Sequence, residues 1–447
     1  MTLVLMRPKD HLFLLAVSGT FCAMLAVSSA AAAESPREVA HIPWDWSGVI
    51  GTGQSLSVGE GGRPVLSTNQ PYGNLKLSTG NLNWPIDPDD KTLAMAPLVE
   101  PIGRLAANYP SSWPNNIAGE TTHSAMANQI SALVHGRFGR NFVGVHGEVG
   151  ENGQCMIYLK KDAAKKGVNG RSYEAALIET RAITRLAKAA HKTYGVGAIV
   201  VTHGECDAGN TNYEADLRQL WLDYNSDISA ITGQRERIQM IVSQQNSVND
   251  RSASTLAQWK VGQDFPEDIV CSGPKYQYPS GEGVHLTAAG YQQLGEKYGE
   301  VYYERVILGR NWRPLQPFSV EREGAVITVH FHVPVPPLVW DENFEAPHQS
   351  VPEWKAGKGF EVTAANGDKM TIVSVAISGD SVAITCKSDP GSGARVSYAM
   401  IGEHTRMAAP FHGTFRWGQL RDSDTFRGES TGVLQPNYAV AFEMGMP

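Results

Sequence analysis

Short apolar runs alternate with longer helix-like segments between residues 42 and 308, and this alternation most constrains the fold. The runs have the length of buried strands, whereas residues 173–194 and 213–232 repeat apolar side chains at helical spacing. Buried strands separated by amphipathic helices predict a parallel sheet that is covered on both faces. We therefore expect an α/β fold. The predicted strands cover residues 47–51, 141–146, 198–202, 238–242 and 268–271.

A last helix of this region is predicted after Thr287, because a threonine hydroxyl suits a helix N-cap. Tyr291, Leu294, Tyr298 and Val301 then recur at helical spacing and share one face. This apolar face predicts that the helix packs against the sheet.

The pattern changes after Pro314 to alternating apolar and polar residues, which indicates strands with one buried face. Asn366 and Gly367 form a dipeptide that is typical of hairpin turns. Residues 315–447 are therefore predicted to form a small antiparallel β-sandwich, which follows an α/β domain of residues 34–314. The alternating segments are residues 327–333, 372–377, 382–386 and 438–444.

Residues 1–33 have the three parts of a secretory signal peptide. Arg7 and Lys9 precede an apolar stretch over residues 12–27, and the small residues 28–33 follow it. The stretch is shorter than the roughly 20 apolar residues that a membrane-spanning helix needs. We expect cleavage of this segment, a mature chain without a membrane span, and a secreted or periplasmic location.

Charge and cysteine content narrow the function classes. The formal net charge is −7 and Lys/Arg-rich runs are absent from the sequence, which argues against a nucleic-acid partner.

Once the signal peptide is removed, an even number of cysteines enters an oxidising compartment. Cys155 and Cys206 follow predicted strand ends and are the favoured disulfide pair, with four buried free thiols as the open alternative. The sequence has no Cys/His spacing typical of zinc, so no metal or cofactor is expected.

Three polar stretches follow predicted strands. Residues 51–57 read GTGQSLS, residues 202–207 read THGECD, and residues 282–287 read EGVHLT. In open parallel sheets, ligands bind outside the carboxyl ends of the strands. The three stretches are therefore predicted to meet in one polar crevice.

The residue types in this crevice suit acyl transfer through a serine nucleophile. The hydroxyl of Ser55 needs a base that takes its proton, and His285 is the predicted base. A carboxylate on the other imidazole nitrogen would orient the ring and stabilise the imidazolium. Glu282 on the same loop and Glu205 at a neighbouring strand end are the two candidates, and the sequence leaves the choice open.

The order of these motifs differs from that of the α/β-hydrolases, which carry their serine mid-chain in GxSxG. A GQS block near the start, with an acid and a histidine three residues apart far downstream, resembles the SGNH (GDSL-like) hydrolase superfamily. Within it, the GQS, HGECD and EGVHLT blocks are similar to those of carbohydrate esterases of the sialate O-acetylesterase and acetylxylan esterase kind. The resemblance covers about residues 45–305 and implies a three-layer, flavodoxin-like αβα domain.

This resemblance implies roles for the catalytic positions. Ser55 matches the nucleophile, and its backbone N–H matches an oxyanion donor. His285 matches the base. Glu282 stands where the family usually has aspartate, and Glu205 matches a glutamate that helps to support the histidine.

The resemblance also implies residues that surround the substrate. The second oxyanion donor is expected in the glycine-rich run of residues 147–153, where Gly150 is favoured over Gly153. Gln54 and Gln244 match glutamines near these sites, and His203 stands in place of another glutamine, so all three are predicted to contact substrate. Cys206 stands where the wider superfamily often has an oxyanion asparagine, so that donor must come from elsewhere.

Together these features predict a secreted serine esterase that removes O-acetyl groups from carbohydrates, either an acetylated polysaccharide or sialic acid. One alternative is a glycan-binding surface protein that has lost activity, since the changes at Glu282, His203 and Cys206 depart from the family pattern. Another is an esterase of the same chemistry for lipids or thioesters. A metallohydrolase is disfavoured, because no HExxH or comparable spacing is present and the GQS block would be left without a role. Its metal ligands would come from His146, His203, His285, Glu205 and Asp207.

Overall fold

The predicted strands form one seven-stranded sheet. All neighbouring pairs are parallel except β2 and β3, which pair antiparallel at one edge. The expected parallel sheet is confirmed, and β2 and β3 extend it. The strands are β1 (Trp46–Gly53), β2 (Leu75–Ser78), β3 (Ala94–Pro97), β4 (Gly144–Glu148), β5 (Tyr194–Thr202), β6 (Gln239–Val242) and β7 (Ile269–Cys271). Their order across the sheet is β3-β2-β4-β1-β5-β6-β7.

The computed structural model describes residues 39–108, 111–163, 171–246, 251–281, 284–344, 356–400 and 416–447. The predicted signal peptide, residues 1–33, and the candidate acid Glu282 lie outside these ranges. Within the ranges, we find no helix that is both long enough and apolar enough to cross a membrane.

Helices cover both faces of the sheet. They are α1 (His123–Phe138), α2 (Met156–Leu159), α3 (Ser172–Ala189), α4 (Tyr213–Thr232), α5 (Ala253–Asp264) and α6 (Ala288–Tyr302), which continues as a π-helical turn over Tyr303–Ile307. Val49 and Val200 face a core shared with α1 and α6, whereas the adjacent Ile50 and Ile199 face a core shared with α3 and α4. Successive side chains of a strand point to opposite faces. The sheet therefore lies between two helical layers, which confirms the three-layer αβα architecture.

Helix α1 lacks the apolar stripe by which a helix is normally identified from sequence. Buried positions on it include His123, Ser124, Asn128 and Gln129 as well as apolar residues. Because these polar side chains are enclosed together with the apolar ones, the hydropathy pattern does not show a helical period. The helix ends at Gly139, whose φ of 62° is the left-handed conformation typical of a C-cap.

The remaining strands are all antiparallel. They are β8 (Gln316–Glu323), β9 (Val326–His332), β10 (Val339–Trp340), β11 (Phe360–Thr363), β12 (Ile372–Ser378), β13 (Ser381–Cys386), β14 (Arg395–Tyr398), β15 (Leu420–Arg421) and β16 (Phe442–Gly445). One sheet has the order β12-β13-β9-β8, another β11-β14-β16, and β10 pairs with β15. Phe331 of β9 meets Phe442 of β16 with ring centroids 5.9 Å apart, so the two larger sheets share a core. This confirms the C-terminal β region.

Polar contacts join the β region to the α/β elements. Trp259 Nε1 of α5 donates to Gln316 Oε1 at 3.1 Å, and the Tyr276 hydroxyl donates to the Ala439 carbonyl at 2.6 Å. The hydrophobic core is also continuous from the sheet face beneath α3 and α4 into the β region. Residues 40–447 consequently form one unit.

One disulfide links two segments at the carboxyl edge of the sheet. Cys155, just before α2, is bonded to Cys206, just after β5, with their Cα atoms 5.0 Å apart. The favoured pairing is therefore confirmed. Cys271 and Cys386 are buried free thiols.

Candidate active site

Ser55 lies in the turn that directly follows β1. The turn begins at Gly53, whose φ of 145° requires glycine and whose Cα faces the Thr202 carbonyl too closely for a Cβ. It is closed by hydrogen bonds from the Ser57 amide to the Gln54 carbonyl at 2.8 Å and from the Glu60 amide to the Ser55 carbonyl at 3.0 Å. Within the described part of the chain, neither the amide nor the hydroxyl of Ser55 has a hydrogen-bond partner. Ser55 is buried, with 5% of its surface exposed, and neither group is committed to another described residue.

His285 lies on the loop before α6 and reaches the segment that follows Ser55. Residues Ser280 and Leu286 bridge across this loop, and the Gly281 amide donates to the His285 carbonyl at 3.2 Å. A Cβ built on Gly61 would stand 2.9 Å from the His285 Cβ, so the two segments are in close contact. No hydrogen bond joins Ser55 and His285, although both are described residues. In ligand-free sites such bonds are often long and tighten only when substrate binds.

A cleft of about 670 Å³ opens beside His285. Its volume is typical of a small-molecule site. The lining is polar and small, and the described part includes both a carboxylate and a guanidinium. The described lining residues are Glu60, Gly61, Arg63, Ala106, Ala107, Asn108, Ser111, Ala118, Asn152 and His285.

Glu205 is paired with a lysine. Its Oε1 lies 3.2 Å from Nζ of Lys275, and both side chains are almost fully enclosed. Its Oε2 is buried and has no hydrogen-bond partner among the described residues. Glu205 makes no hydrogen bond with His285. The other candidate acid, Glu282, is outside the described ranges.

The carboxylate of Glu148, which the sequence did not single out, contacts the turn that carries Ser55. Oε1 of Glu148, at the end of β4, accepts from the Gly150 amide at 2.7 Å and from the Ser57 hydroxyl at 3.1 Å. Asn116 Nδ2 also donates to the Gly150 carbonyl at 2.8 Å, which holds the glycine-rich run in place. The amide of Gly150, expected as an oxyanion donor, is therefore already committed to Glu148 in this structure.

Two buried histidines continue this network. Oε2 of Glu148 lies 3.1 Å from Nε2 of His123, and Nδ1 of His123 lies 3.1 Å from Nδ1 of His146. An ionised carboxylate only accepts, so Nε2 of His123 carries the proton. Burial, and secondarily the neighbouring His123, holds the pKa of His146 well below its ordinary value, so His146 is neutral. One of the two facing Nδ1 atoms donates to the other, and the buried Nε2 of His146 has no hydrogen-bond partner among the described residues.

The three predicted substrate-binding residues have internal partners. His203 is fully buried, with Nδ1 2.7 Å from the Tyr213 hydroxyl and Nε2 2.9 Å from the Gln154 carbonyl. Gln244 bonds through its amide to both N–H and C=O of Ala441 at 2.8 Å. Gln54 Oε1 accepts from the Cys206 amide at 3.1 Å. These contacts brace the loops around Ser55, and substrate contact by the three side chains stays a prediction.

Sequence reasoning missed the cleft-lining Arg63 and Asn152 as well as the Glu148 network. Arg63 and Asn152 lie in loops whose sequences carry no signal of which side chain faces the cleft. Glu148 lies within the glycine-rich run that the sequence did flag, but its partner His123 is far away on α1. Only the pairing of β1 with β4 and the packing of α1 bring these residues together.

Among the described residues, no group of three or more His, Cys, Asp or Glu side chains is arranged to hold a metal ion. The contacts of His123, His146 and Glu148 are hydrogen bonds within the protein.

No family model matches the chain, and no curated protein sequence matches it. Among solved structures, a novel carbohydrate acetylesterase from Xanthomonas citri superposes with a TM-score of 0.56 at 10% identity, over 89% of this chain and 80% of that one. A protein from Arabidopsis thaliana gives a TM-score of 0.43 at 16% identity, over 59% of this chain and 100% of its own. NanS gives 0.35 at 11% identity, over 58% and 98%. The first of these establishes a shared fold over most of the chain.

Proposed function

We propose that this chain is a serine esterase that removes O-acetyl groups from carbohydrates. The observation that carries the proposal is the contact between the segment that follows Ser55 and the His285 loop, both of which line a polar cleft. Among the described residues, the Ser55 amide and hydroxyl have no hydrogen-bond partner. The fold similarity to a carbohydrate acetylesterase from Xanthomonas citri supports the substrate class. The polar lining of the cleft suits a sugar better than a long acyl chain.

In the proposed reaction, the Ser55 oxygen attacks the acetyl carbonyl while His285 takes the serine proton. The bond from the acetyl carbon to the sugar oxygen then breaks, and His285 returns the proton to that oxygen. Water, deprotonated by the same imidazole, hydrolyses the acetyl-enzyme and releases acetate. The free amide of Ser55 supports an oxyanion role, since a backbone N–H at the nucleophile can stabilise the developing charge.

The carboxylate that supports His285 and the second oxyanion donor remain parts of the proposal. Glu282 is the preferred acid, because Glu205 is already paired with Lys275. Gly150 can donate to the oxyanion only by giving up its bond to Glu148. Asn152, whose Nδ2 donates to Glu60 at 2.8 Å, also lines the cleft and is a further candidate donor in the proposal.

The test is acetate release by the purified chain from p-nitrophenyl acetate, acetylated xylan and O-acetyl sialic acid. Replacement of the nucleophile in Ser55→Ala, or of the base in His285→Ala, is expected to lower kcat by about 10³- to 10⁶-fold. Ser378→Ala, an exposed serine of β12, is the matched control and keeps wild-type rates. Full activity in Ser55→Ala would refute the mechanism. Glycan binding without acetate release by wild type would instead favour a binding protein on this fold.

The proposal includes export. Residues 1–33 are expected to be cleaved, which would direct the mature chain to the periplasm or the medium. N-terminal sequencing of chain recovered from those fractions tests this expectation, and recovery of uncleaved chain from the cytoplasm alone would contradict it.

A further inference from the structure

Arg63 presents an oriented guanidinium to the cleft that also contains His285. Its Nε donates to the Ala118 carbonyl at 2.5 Å, and both residues line the cleft. This bond restrains the guanidinium, and among the described residues its two terminal NH₂ groups have no hydrogen-bond partner. Among the described residues, no carboxylate forms an ion pair with Arg63. By contrast, Arg218 is paired with Asp268 at 2.6 Å.

The one carboxylate in the described cleft lining has a different partner. Oε2 of Glu60 accepts from Nδ2 of Asn152 at 2.8 Å, and Glu60 makes no ion pair with Arg63. Glu60 therefore presents an acceptor to sugar hydroxyls, while Arg63 presents donors. Because the two charges offset each other, the cleft attracts an anion through direct contact with Arg63 rather than through a long-range field.

We propose that Arg63 recognises a carboxylate on the substrate, so that the cleft selects O-acetyl esters of acidic sugars over those of neutral sugars. The inference rests on the proposed esterase function and deepens it. A planar carboxylate accepts two parallel hydrogen bonds from the end of a guanidinium, and such charge-assisted pairs are stronger than neutral ones. Uronic and sialic acids carry this group on the sugar ring, whereas xylose carries no group that can replace it.

The experiment compares kcat/KM for acetate release from acetylated galacturonan, O-acetyl sialic acid and acetylated xylan. Wild type is expected to prefer the two acidic esters. Arg63→Gln is expected to lower their kcat/KM by about 10- to 100-fold, mainly through KM, and to reduce the acidic-to-neutral ratio accordingly. Arg63→Lys keeps the charge but not the planar guanidinium. Its acidic-to-neutral ratio is expected to lie between those of wild type and Arg63→Gln. Arg427→Gln, an exposed arginine that also donates to a backbone carbonyl, is the matched control for the ratio.

Equal wild-type rates on acidic and neutral esters would overturn the role of Arg63, as would an equal loss on all substrates in Arg63→Gln. Either result leaves the esterase proposal intact. If wild type hydrolyses no ester, the esterase proposal fails, and calorimetric titration with oligogalacturonate then decides the role of Arg63. Binding by wild type that is lost in Arg63→Gln, with an unchanged melting temperature, supports it. Absence of binding by wild type refutes it.

Discussion

At the scale of single residues, Glu148 connects the turn that carries Ser55 to the body of the fold. One of its oxygens accepts from Gly150 and Ser57, and the other faces His123. The side chains of His123 and Glu148 meet directly over Gly51 of β1. Any side chain at this position would collide with both of them, so the strand needs glycine here. Glu148 does not line the cleft, and we assign it a positioning role in the proposed reaction.

Glu148→Gln is expected to lower kcat by about 10- to 100-fold and to change KM by less than threefold, because a small displacement of the nucleophile mainly affects the chemical step. The amide oxygen keeps the contacts with Gly150 and Ser57. The amide NH₂, however, faces the protonated Nε2 of His123, so His123 must give up this proton or lose the contact. Steady-state kinetics on p-nitrophenyl acetate measure the two parameters.

Glu296→Gln is the control for the loss of a buried carboxylate. Glu296 of α6 also accepts several hydrogen bonds but lies away from the described cleft lining. The Glu296→Gln variant is expected to have a lower melting temperature than wild type and to keep the wild-type kcat. A kcat in Glu148→Gln that equals that of wild type would contradict the positioning role.

Glu179 makes the stability of the fold depend on pH. Burial, reinforced by the nearby Glu148, raises its pKa to about 8 from an ordinary value of 4.5. Between these values the folded state holds a proton that the unfolded chain releases, so the stability that this group contributes below pH 4.5 is lost as pH rises through about 8. Glu179→Gln removes this titration. Its free energy of unfolding should therefore fall less steeply with rising pH than that of wild type, by up to about 1.4 kcal/mol per pH unit. Urea unfolding between pH 5 and pH 8 measures it, and the exposed Glu323→Gln variant should keep the wild-type slope.

At the scale of elements, the unit that presents His285 is a loop tied to a capped helix. The Thr287 side chain accepts from the Gly290 amide at 3.2 Å and begins α6, two positions after His285. The sequence predicted this cap, and the structure confirms it, because N-capping depends on residues adjacent along the chain. The sequence did not predict helix α1, because its buried polar side chains have partners that are distant along the chain, such as Glu148 for His123.

Thr287→Ala is expected to lower the free energy of unfolding by about 1 kcal/mol, the usual cost of losing an N-cap hydrogen bond. Thr287→Ser keeps the capping hydroxyl and should retain most of the stability. Chemical denaturation of the two variants side by side measures the difference. Equal losses in both variants would show that the threonine methyl group, and not the cap, is responsible.

At the scale of the whole molecule, the C-terminal segment is fastened to α6. The Glu296 carboxylate accepts from the Ser430 and Thr431 amides at 2.8 Å, and Lys297 Nζ donates to the Gln435 carbonyl at 3.0 Å. Gly428 lies directly against the Glu296 carboxylate and leaves no room for a Cβ. The β region therefore contacts the helix that follows the His285 loop.

Gly428→Ala is expected to destabilise the protein by about 1–3 kcal/mol, because the added methyl group displaces the Glu296 carboxylate from its donors. Gly445→Ala is the matched control, since a Cβ there meets no atom within 4 Å. Thermal unfolding of both variants tests the contact. A melting temperature of Gly428→Ala equal to that of the control would exclude tight packing at this position.

Local sequence pattern was enough to predict the parallel sheet, the two longest helices, the antiparallel C-terminal strands and the turn that carries Ser55. Each of these depends on periodicity or on turn and cap chemistry, which act between residues close in the chain. The pairing of Glu205 with Lys275 and the bond between Glu148 and Gly150 become visible only in the folded chain. These contacts join residues from different strands and loops, and their partners depend on which strands become neighbours. Local pattern carries no information about that choice, because it is made when the sheet and its covering helices pack.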